Sequence, residues 1–132
     1  MRHRALASLC LGLATLVACA HDAPQGDDAI AAVVRDLEIP ARFADGEALF
    51  DAHCASCHGH RALGTDRGPP LVHIVYEPSH HADIAFVMAV ERGVRAHHWG
   101  FGDMPPVPDL SRDRLLLVVE YVRFLQREAG IR

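Results

Sequence analysis

The sequence predicts an all-α domain of three to four helices joined by long loops. Apolar residues recur at the spacing of a helix face in separate segments, and no segment alternates apolar and polar residues as a half-buried strand does. Glycine and proline concentrate between these segments, in residues 59–79 and 94–110. The chain has 132 residues, the size of one domain. Loops this long are unusual in so small a domain, and they become reasonable when they wrap a bulky ligand.

The first 18 residues are expected to form a signal peptide. A basic start precedes an apolar run of 14 residues, which is too short for a comfortable membrane span. The run ends in Leu16-Val17-Ala18-Cys19, which resembles a bacterial lipobox, whose cysteine is lipidated and becomes the first residue of the mature protein. An ordinary signal peptide cut nearby is the alternative. We therefore expect an exported, periplasm-facing protein that Cys19 anchors to a bacterial membrane.

Residues 19–40 are predicted to form a lipidated tether that contains a short helix. Residues 20–28 are polar and include proline and glycine. An apolar stripe at helical spacing follows and ends before Pro40, and it consists of Ile30, Val33, Val34 and Leu37. The stripe leaves open whether this helix packs on the domain or only leads into it. The domain is expected to span residues 41–132.

Three further helices are predicted. The first of them starts at Asp45, a plausible N-cap, and runs to about Cys54. Gly46, Phe50 and Cys54 recur at every fourth position of this segment and therefore share one face.

Caps also mark the last two predicted helices. Ser79 is expected to cap one that ends before Gly93, and Ser111 to cap the last, with Gly130 just past its end. The earlier helix has the stripe Ile84, Val87, Met88 and Glu91. The last helix has the stripe Leu115, Val118, Val119, Val122 and Leu125.

The charge balance excludes some partners. The chain has 13 basic and 17 acidic residues, and removal of the signal peptide takes away Arg2 and Arg4. Every basic residue is an arginine. An acidic exported chain without a basic run is a poor ligand for nucleic acid, and it is not held to a bilayer by charge. Lipid would therefore be the anchor.

Cys54-Ala-Ser-Cys57-His58 is the motif that carries chemistry. The pattern C-x-x-C-H is the attachment signature of c-type haem, in which both thiols form thioethers and the histidine becomes the proximal iron ligand. Structural zinc would need a second ligand pair at suitable spacing, and no other cysteine remains in the mature domain. A redox dithiol would need a βαβ context, which the sequence lacks. We therefore predict one covalent haem c.

A low-spin haem iron would need a distal ligand, and methionine there raises the potential. Met104 lies in a loop directly before Pro105 and Pro106, which would stiffen the approach to the iron. Met88 lies within an apolar helix and is expected to belong to the core. Met104 is thus the predicted distal ligand, and His97 or His98 is the alternative.

In sequence order, these motifs resemble a class I c-type cytochrome of the small monohaem, oxidase-subunit-like bacterial kind. The resemblance covers about residues 41–130 and consists of Gly46-x-x-x-Phe50-x-x-x-Cys54, the C-x-x-C-H motif, Gly68-Pro69-Pro70-Leu71, Met104-Pro105 and Val118-x-x-Tyr121. It implies the cytochrome c fold around one haem, with the first and last helices crossing at Gly46. It also implies that the Pro69 carbonyl accepts the Nδ1–H of His58 and that Leu71 packs on the haem face.

Other residues are expected in the haem environment from their chemistry. Trp99 could donate its indole N–H to a haem propionate, and Arg95 could pair with one. Each of them has ordinary loop packing or surface charge as its alternative. The lysine ring that steers some cytochromes c to acidic partners is absent, so that docking mode should not be transferred.

Two histidine pairs flank the third predicted helix. They are His80-His81 and His97-His98. Imidazole suits copper and zinc, so an accessory metal site is one interpretation, and polar caps beside the haem are the other. A helix over residues 82–91 would hold the pairs about 15 Å apart at ~1.5 Å per residue, which argues against one ion reaching both.

The sequence therefore predicts one-electron transfer in a periplasmic respiratory or dehydrogenase chain, between a redox protein donor and a redox protein acceptor. No general acid, base or nucleophile is required, and no small-molecule substrate is expected. An open-site haem sensor or peroxidase-like enzyme is one alternative. A subunit through which electrons enter a larger complex is the other.

Overall fold

A computed structural model describes residues 26–132, with side chains from Asp28 onward. The predicted signal peptide and Cys19 lie outside the described residues. The described chain is all-α, as the sequence predicts, and it contains no strand. Its helices are α1 (Gly26–Arg35), α2 (Ala44–His53), α3 (Ala55–His58), α4 (Asp83–Arg92) and α5 (Arg112–Glu128). Short 3-10 turns occur at Ala41–Phe43, His60–Ala62 and Ile74–Tyr76. Within residues 26–132, no helix is long and apolar enough to cross a bilayer.

The short helix expected before the domain is α1, and it packs on the domain. Val34 is fully buried in the common core. The helix ends at Arg35, earlier than Pro40, and Arg61 covers its last turn. The Nη1 of Arg61 donates to the carbonyls of Val34 at 2.6 Å, Arg35 at 2.9 Å and Leu37 at 2.7 Å. A guanidinium at a helix C-terminus binds carbonyls that have no partner within the helix.

Two predicted N-caps are wrong. Helix α2 begins at Ala44 and continues from the 3-10 turn before it, so that Asp45 lies inside its first turn. Helix α4 begins at Asp83 with Ala82 at the N-cap position, while the Ser79 hydroxyl donates to Glu77 at 2.7 Å. At α2, the 3-10 turn Ala41–Phe43 runs directly into the helix, so the helix has already started before Asp45. At α4, the hydroxyl of Ser79 is already bonded to Glu77 and does not cap the helix.

Helix α5 is the centre of the core, and its predicted stripe is confirmed. All five stripe residues are buried. Ser111 occupies the N-cap position, although its side chain makes no cap hydrogen bond. At the other end, the N–H groups of Gly130 and Ile131 donate to the carbonyls of Arg127 at 3.0 Å and Gln126 at 2.8 Å. This is the Schellman pattern that a glycine after a helix favours.

The stripe predicted for α4 is wrong in phase. Val87 and Val90 are the buried residues of this helix, whereas Ile84 is 55% and Met88 43% exposed. The carboxylate of Glu91 lies 3.2 Å from Arg112, in an ion pair at the surface. Helix α4 is apolar on more than one side, so its periodicity does not define which side faces α5.

Helices α2 and α5 cross at Gly46, as the resemblance implies. A methyl group at Gly46 would lie 2.3 Å from the carbonyl oxygen of Leu117 and 2.9 Å from Cβ of Tyr121. One turn along, the rings of Phe50 and Tyr121 pack with their centroids 5.8 Å apart. The close approach of the helix backbones therefore depends on the missing side chain.

Gly46→Ala is expected to lower the free energy of unfolding of the holoprotein by about 1–3 kcal/mol, because the helices must separate to admit a methyl group. Because the nearest atom is a backbone oxygen, the loss should lie towards the upper end of this range and exceed the gain of about 1 kcal/mol that alanine brings to a helix interior. Urea unfolding followed by circular dichroism measures it. Gly100→Ala is the matched control, since a Cβ at Gly100 would meet nothing within 4 Å. Equal stability of the two variants would contradict the crossing described here.

Candidate haem site

The C-x-x-C-H segment lies where α2 ends and the one-turn helix α3 follows. Cys54 has φ −121° and ψ −37°, which breaks the helix between them. The backbone N–H of His58 donates to the Cys54 carbonyl at 2.9 Å and closes the turn. Cys54 and Cys57 are both free thiols. Burial, and then the neighbouring charge of Cys57, raise the pKa of Cys54 to about 11, so this thiol is protonated at neutral pH in the haem-free chain.

His58 is oriented by the loop that follows the motif. Its Nδ1 lies 2.9 Å from the carbonyl oxygen of Pro69, the contact that the resemblance implied. A carbonyl can only accept, so Nδ1 carries the proton and Nε2 keeps its lone pair. Burial lowers the pKa of His58, while the bond to Pro69 opposes that shift. The imidazole is therefore held neutral and in one tautomer, as a metal ligand must be.

The Gly68-Pro69 loop lies directly against the motif. A Cβ at Gly68 would lie 2.9 Å from the Cys57 carbonyl oxygen, so only glycine allows this approach. The Thr65 hydroxyl donates to the same carbonyl at 2.5 Å, and the Arg67 guanidinium donates to the Ser56 carbonyl. These bonds fix the position of the Pro69 carbonyl relative to His58.

A cavity of about 440 Å³ opens beside the motif. This volume lies within the range of roughly 300–1,000 Å³ that is typical of ligand and cofactor sites. Cys54, His58, Pro69 and Met104 all line it. Apolar side chains supply most of the remaining wall, from Phe50, Leu71, Ala85, Phe86, Met88, Ala89, Val90, Val94, Leu115, Val118, Val119 and Val122. Leu71 is thus in the wall, and Met88 lines the cavity instead of belonging to the closed core.

Met104 is held at the cavity by its backbone. Its N–H and C=O exchange hydrogen bonds with Val94, both at 2.9 Å, in an isolated antiparallel bridge. Gly93 permits this bridge, because a Cβ there would lie 2.6 Å from the Met104 carbonyl oxygen. The N–H of Val107 also donates to the Val90 carbonyl at 2.8 Å. The loop is therefore fastened to the end of α4 at Met104 itself and at Val107, which follows it.

Trp99 and Tyr76 share a hydrogen bond at the cavity wall. The indole N–H of Trp99 donates to the Tyr76 hydroxyl at 3.1 Å, and both residues line the cavity. In this structure Tyr76 accepts the indole proton, and the expected donation from Trp99 to a propionate stays a prediction. Burial raises the pKa of Tyr76, although the bond from Trp99 opposes the shift. The Tyr76 hydroxyl therefore keeps its own proton. No motif in the sequence indicates that Tyr76 belongs to this site.

Arg95 lies outside the cavity wall, and its pairing with a haem propionate stays a prediction. Arg95 is exposed and does not line the cavity, whereas Val94 and Ala96 on either side of it do. The bridge at Val94 extends the chain, so that successive side chains point to opposite sides. Arg92, at the end of α4, is the arginine that lines the cavity.

Two buried polar residues of α5 hold the loop between Leu71 and α4. Arg123 donates to the Tyr76 carbonyl and to Asp83, each at 2.7 Å, and also to the carbonyl of His81. Gln126 donates to the Leu71 carbonyl at 2.8 Å. Sequence reasoning missed both residues, because the apolar stripe directed attention to their neighbours. Polar residues inside the most apolar helix were the signal that could have found them.

The two histidine pairs lie together in the structure. Donor atoms of His80, His81 and His98 lie within 4.8 Å of one another, and the rings of His97 and His98 are 4.2 Å apart. The estimate that α4 would separate the pairs is therefore wrong. The chain after α4 returns to the start of that helix instead of leaving from its end.

The residues fit a covalent haem. Around one mainly apolar cavity, this all-α chain carries the thiol of Cys54, the oriented imidazole of His58 and the thioether of Met104, and the exposed thiol of Cys57 completes the C-x-x-C-H motif. These features define a c-type haem protein. The family model described as Cytochrome c matches residues 43–126, well over half of the chain. The chain belongs to the cytochrome c family, and membership supports electron transfer by a protein with covalently attached haem c. Neither the search of curated proteins nor that of solved structures gave a match.

Proposed function

We propose that the chain is a lipid-anchored, single-haem electron carrier that faces the periplasm and serves a respiratory or dehydrogenase chain. The observation that carries the electron-carrier part of the proposal is the convergence of Cys54, His58 and Met104 on one cavity. The anchor and the location rest on the sequence Leu16-Val17-Ala18-Cys19. Its partners would be a redox protein donor and a redox protein acceptor. A chain without lysine would meet them through a surface unlike the basic ring of some cytochromes c.

The bound haem would supply a one-electron Fe(III)/Fe(II) couple. Cys54 and Cys57 would tether it through thioethers, and His58 and Met104 would hold its iron. The Pro69 carbonyl keeps the Nε2 lone pair of His58 unprotonated. The apolar wall excludes water, which keeps the surroundings of the site similar in both oxidation states. The bridge to Val94 restrains Met104, so the position of its side chain should also change little between the two oxidation states.

The ferric absorption spectrum and rapid mixing test this proposal. With Met104 on the iron, the purified holoprotein should show the weak far-red band of methionine ligation and should exchange electrons quickly with small inorganic complexes. An open-site sensor or peroxidase-like enzyme would lack that band and would react with peroxide, NO or CO. Isolation from membranes in mild detergent separates a free carrier from a subunit of a larger complex, because the subunit brings its partners with it.

The anchor is tested by Cys19→Ala. Several acyl chains hold a protein stably to a membrane where one does not, so loss of the lipidated cysteine should release soluble holoprotein or leave an uncleaved precursor. Membrane fractionation and intact mass measure the outcome. Cys10→Ala is the matched control, since that cysteine lies inside the predicted signal peptide and should leave the anchor unchanged. A Cys19→Ala protein that is processed normally and stays on the membrane would contradict the lipobox assignment.

A further inference from the structure

A histidine cluster lies at the cavity wall, apart from the residues assigned to the iron. It consists of His80, His81 and His98, whose nearest donor atoms all lie within 4.8 Å of one another. The ring centroids of His80 and His81 are each 5.1 Å from that of His98. His80 and His98 are exposed, and His81 is half-buried. Three imidazoles from two separate segments thus converge on one point.

His98 lies in a loop, residues 94–104, whose two ends are hydrogen-bonded to each other. The Val94–Met104 bridge fastens its base, and the Asp103 carboxylate accepts the N–H of Ala96 at 2.8 Å just above it. Trp99 attaches its tip through the bond to Tyr76 and through a ring contact with His73. These contacts set His98 against the loop before α4.

The segment that carries His80 and His81 is also fixed. Arg123 binds the carbonyls of Tyr76 and His81 from the buried face of α5. Backbone N–H groups of both histidines donate to the Glu77 carbonyl, at 3.0 Å from His80 and 2.8 Å from His81. The cluster is therefore assembled by ordered backbone on both sides.

The imidazole of His81 is prepared to donate a lone pair. Nδ1 of His81 lies 2.7 Å from the Val75 carbonyl oxygen, which requires a proton on Nδ1 and leaves Nε2 open. Metal-binding histidines commonly donate their second N–H to a carbonyl in this way.

We propose that His80, His81 and His98 form a site for a divalent late transition-metal ion, of the zinc and copper class. Metal–nitrogen bonds of about 2.0–2.1 Å place tetrahedral donors about 3.3 Å apart, so the imidazoles must close by rotation of the exposed His80 and His98. A set of three imidazoles favours Zn²⁺ or Cu²⁺ over Mg²⁺ or Ca²⁺, which prefer oxygen. A fourth position is left to solvent or to His97, whose ring lies beside that of His98.

The site has a consequence for the haem. His81 and His98 line the same cavity as His58 and Met104. A dication bound there would favour the ferrous over the ferric state by its charge, and would raise the midpoint potential of the haem. Metal binding itself does not rest on the electron-transfer proposal, so the two fail separately.

To test the site, haem-loaded protein is first treated with a chelator that removes loosely bound metal ions. It is then titrated with Zn²⁺ in competition with a chromophoric chelator. One equivalent should bind, and Cu²⁺ should bind more tightly, as expected for nitrogen donors. His80→Ala and His98→Ala should each weaken Zn²⁺ binding by at least about tenfold. Loss of a residue that only hydrogen-bonds to a metal ligand already lowers affinity by about tenfold or more, and loss of a ligand should cost at least as much. His60→Ala is the matched control, because His60 is exposed and contacts Asp51 on α2.

The haem spectrum and potential distinguish the remaining outcomes. The wild-type potential should rise with Zn²⁺ and return with chelator, and it should not respond in the His98→Ala variant. Absence of stoichiometric binding would overturn the proposal, as would equal affinity in the His80→Ala, His98→Ala and His60→Ala proteins. A changed haem iron ligation in the His98→Ala protein without added Zn²⁺ would also overturn the proposal, because His98 would then belong to the haem.

Discussion

The Met104→Ala holoprotein is expected to have a lower haem midpoint potential than wild type and to bind CO rapidly once reduced. A thioether ligand stabilises Fe(II) relative to Fe(III), and axial ligands together span a range of about 0.8 V. Removal of the side chain should leave the iron high-spin, or ligated by a second histidine if His97 or His98 moves in. The open position should also give weak peroxidase activity and slower electron transfer.

Met88→Leu is the matched control for this variant. Met88 lines the same cavity but lies on α4 and is 43% exposed. The two side chains are similar in volume, so the change should cost less than about 1.5 kcal/mol of stability and leave iron ligation unchanged. Potential and CO association rate are measured on both proteins. A Met104→Ala protein with wild-type values for both would show that Met104 is not the distal ligand and would favour the open-site sensor or enzyme.

Joint replacement of Cys54 and Cys57 by alanine is expected to leave a largely unfolded chain. Without thioethers the haem is not retained, and the cavity of about 440 Å³ has only water to fill it. Its wall includes α5 residues that also form the core, such as Leu115 and Val122. A ligand that binds only the native state contributes its binding free energy to folding, so its loss removes that contribution.

Circular dichroism and thermal melting measure this effect. Ser56→Ala is the matched control, since Ser56 is exposed and lies within the same motif without reaching the haem through a thiol. It should yield holoprotein with a wild-type melting curve. Native-like helicity and a cooperative transition in the haem-free double variant would show that the protein core forms without the haem.

The parts of the fold that local patterns encode were predictable. Helix α5 buries one continuous stripe against its surroundings, so the periodicity of Leu115, Val118 and Val122 defines its inner face. Gly130 ends it by a local backbone motif. The haem attachment site was predictable for the same reason, because its two cysteines and one histidine are adjacent in sequence.

The parts that depend on distant contacts were not predictable. Helix α4 faces the core on one side and the cavity on another, so one stripe could not describe it. The return of residues 96–103 towards Tyr76 depends on Trp99, and it brings together histidines that a straight helix would separate. Arg61 attaches α1 through three carbonyls that are distant in sequence. None of these contacts leaves a periodic signal.

Spectroelectrochemical titration of the purified holoprotein tests the central claim most directly. One covalent haem with His58 and Met104 as ligands should give a single reversible one-electron transition, low-spin in both oxidation states, at a potential typical of methionine-ligated haem. The reduced protein should not bind CO readily. A high-spin ferric state, or rapid CO binding to the reduced wild type, would contradict the electron-carrier account.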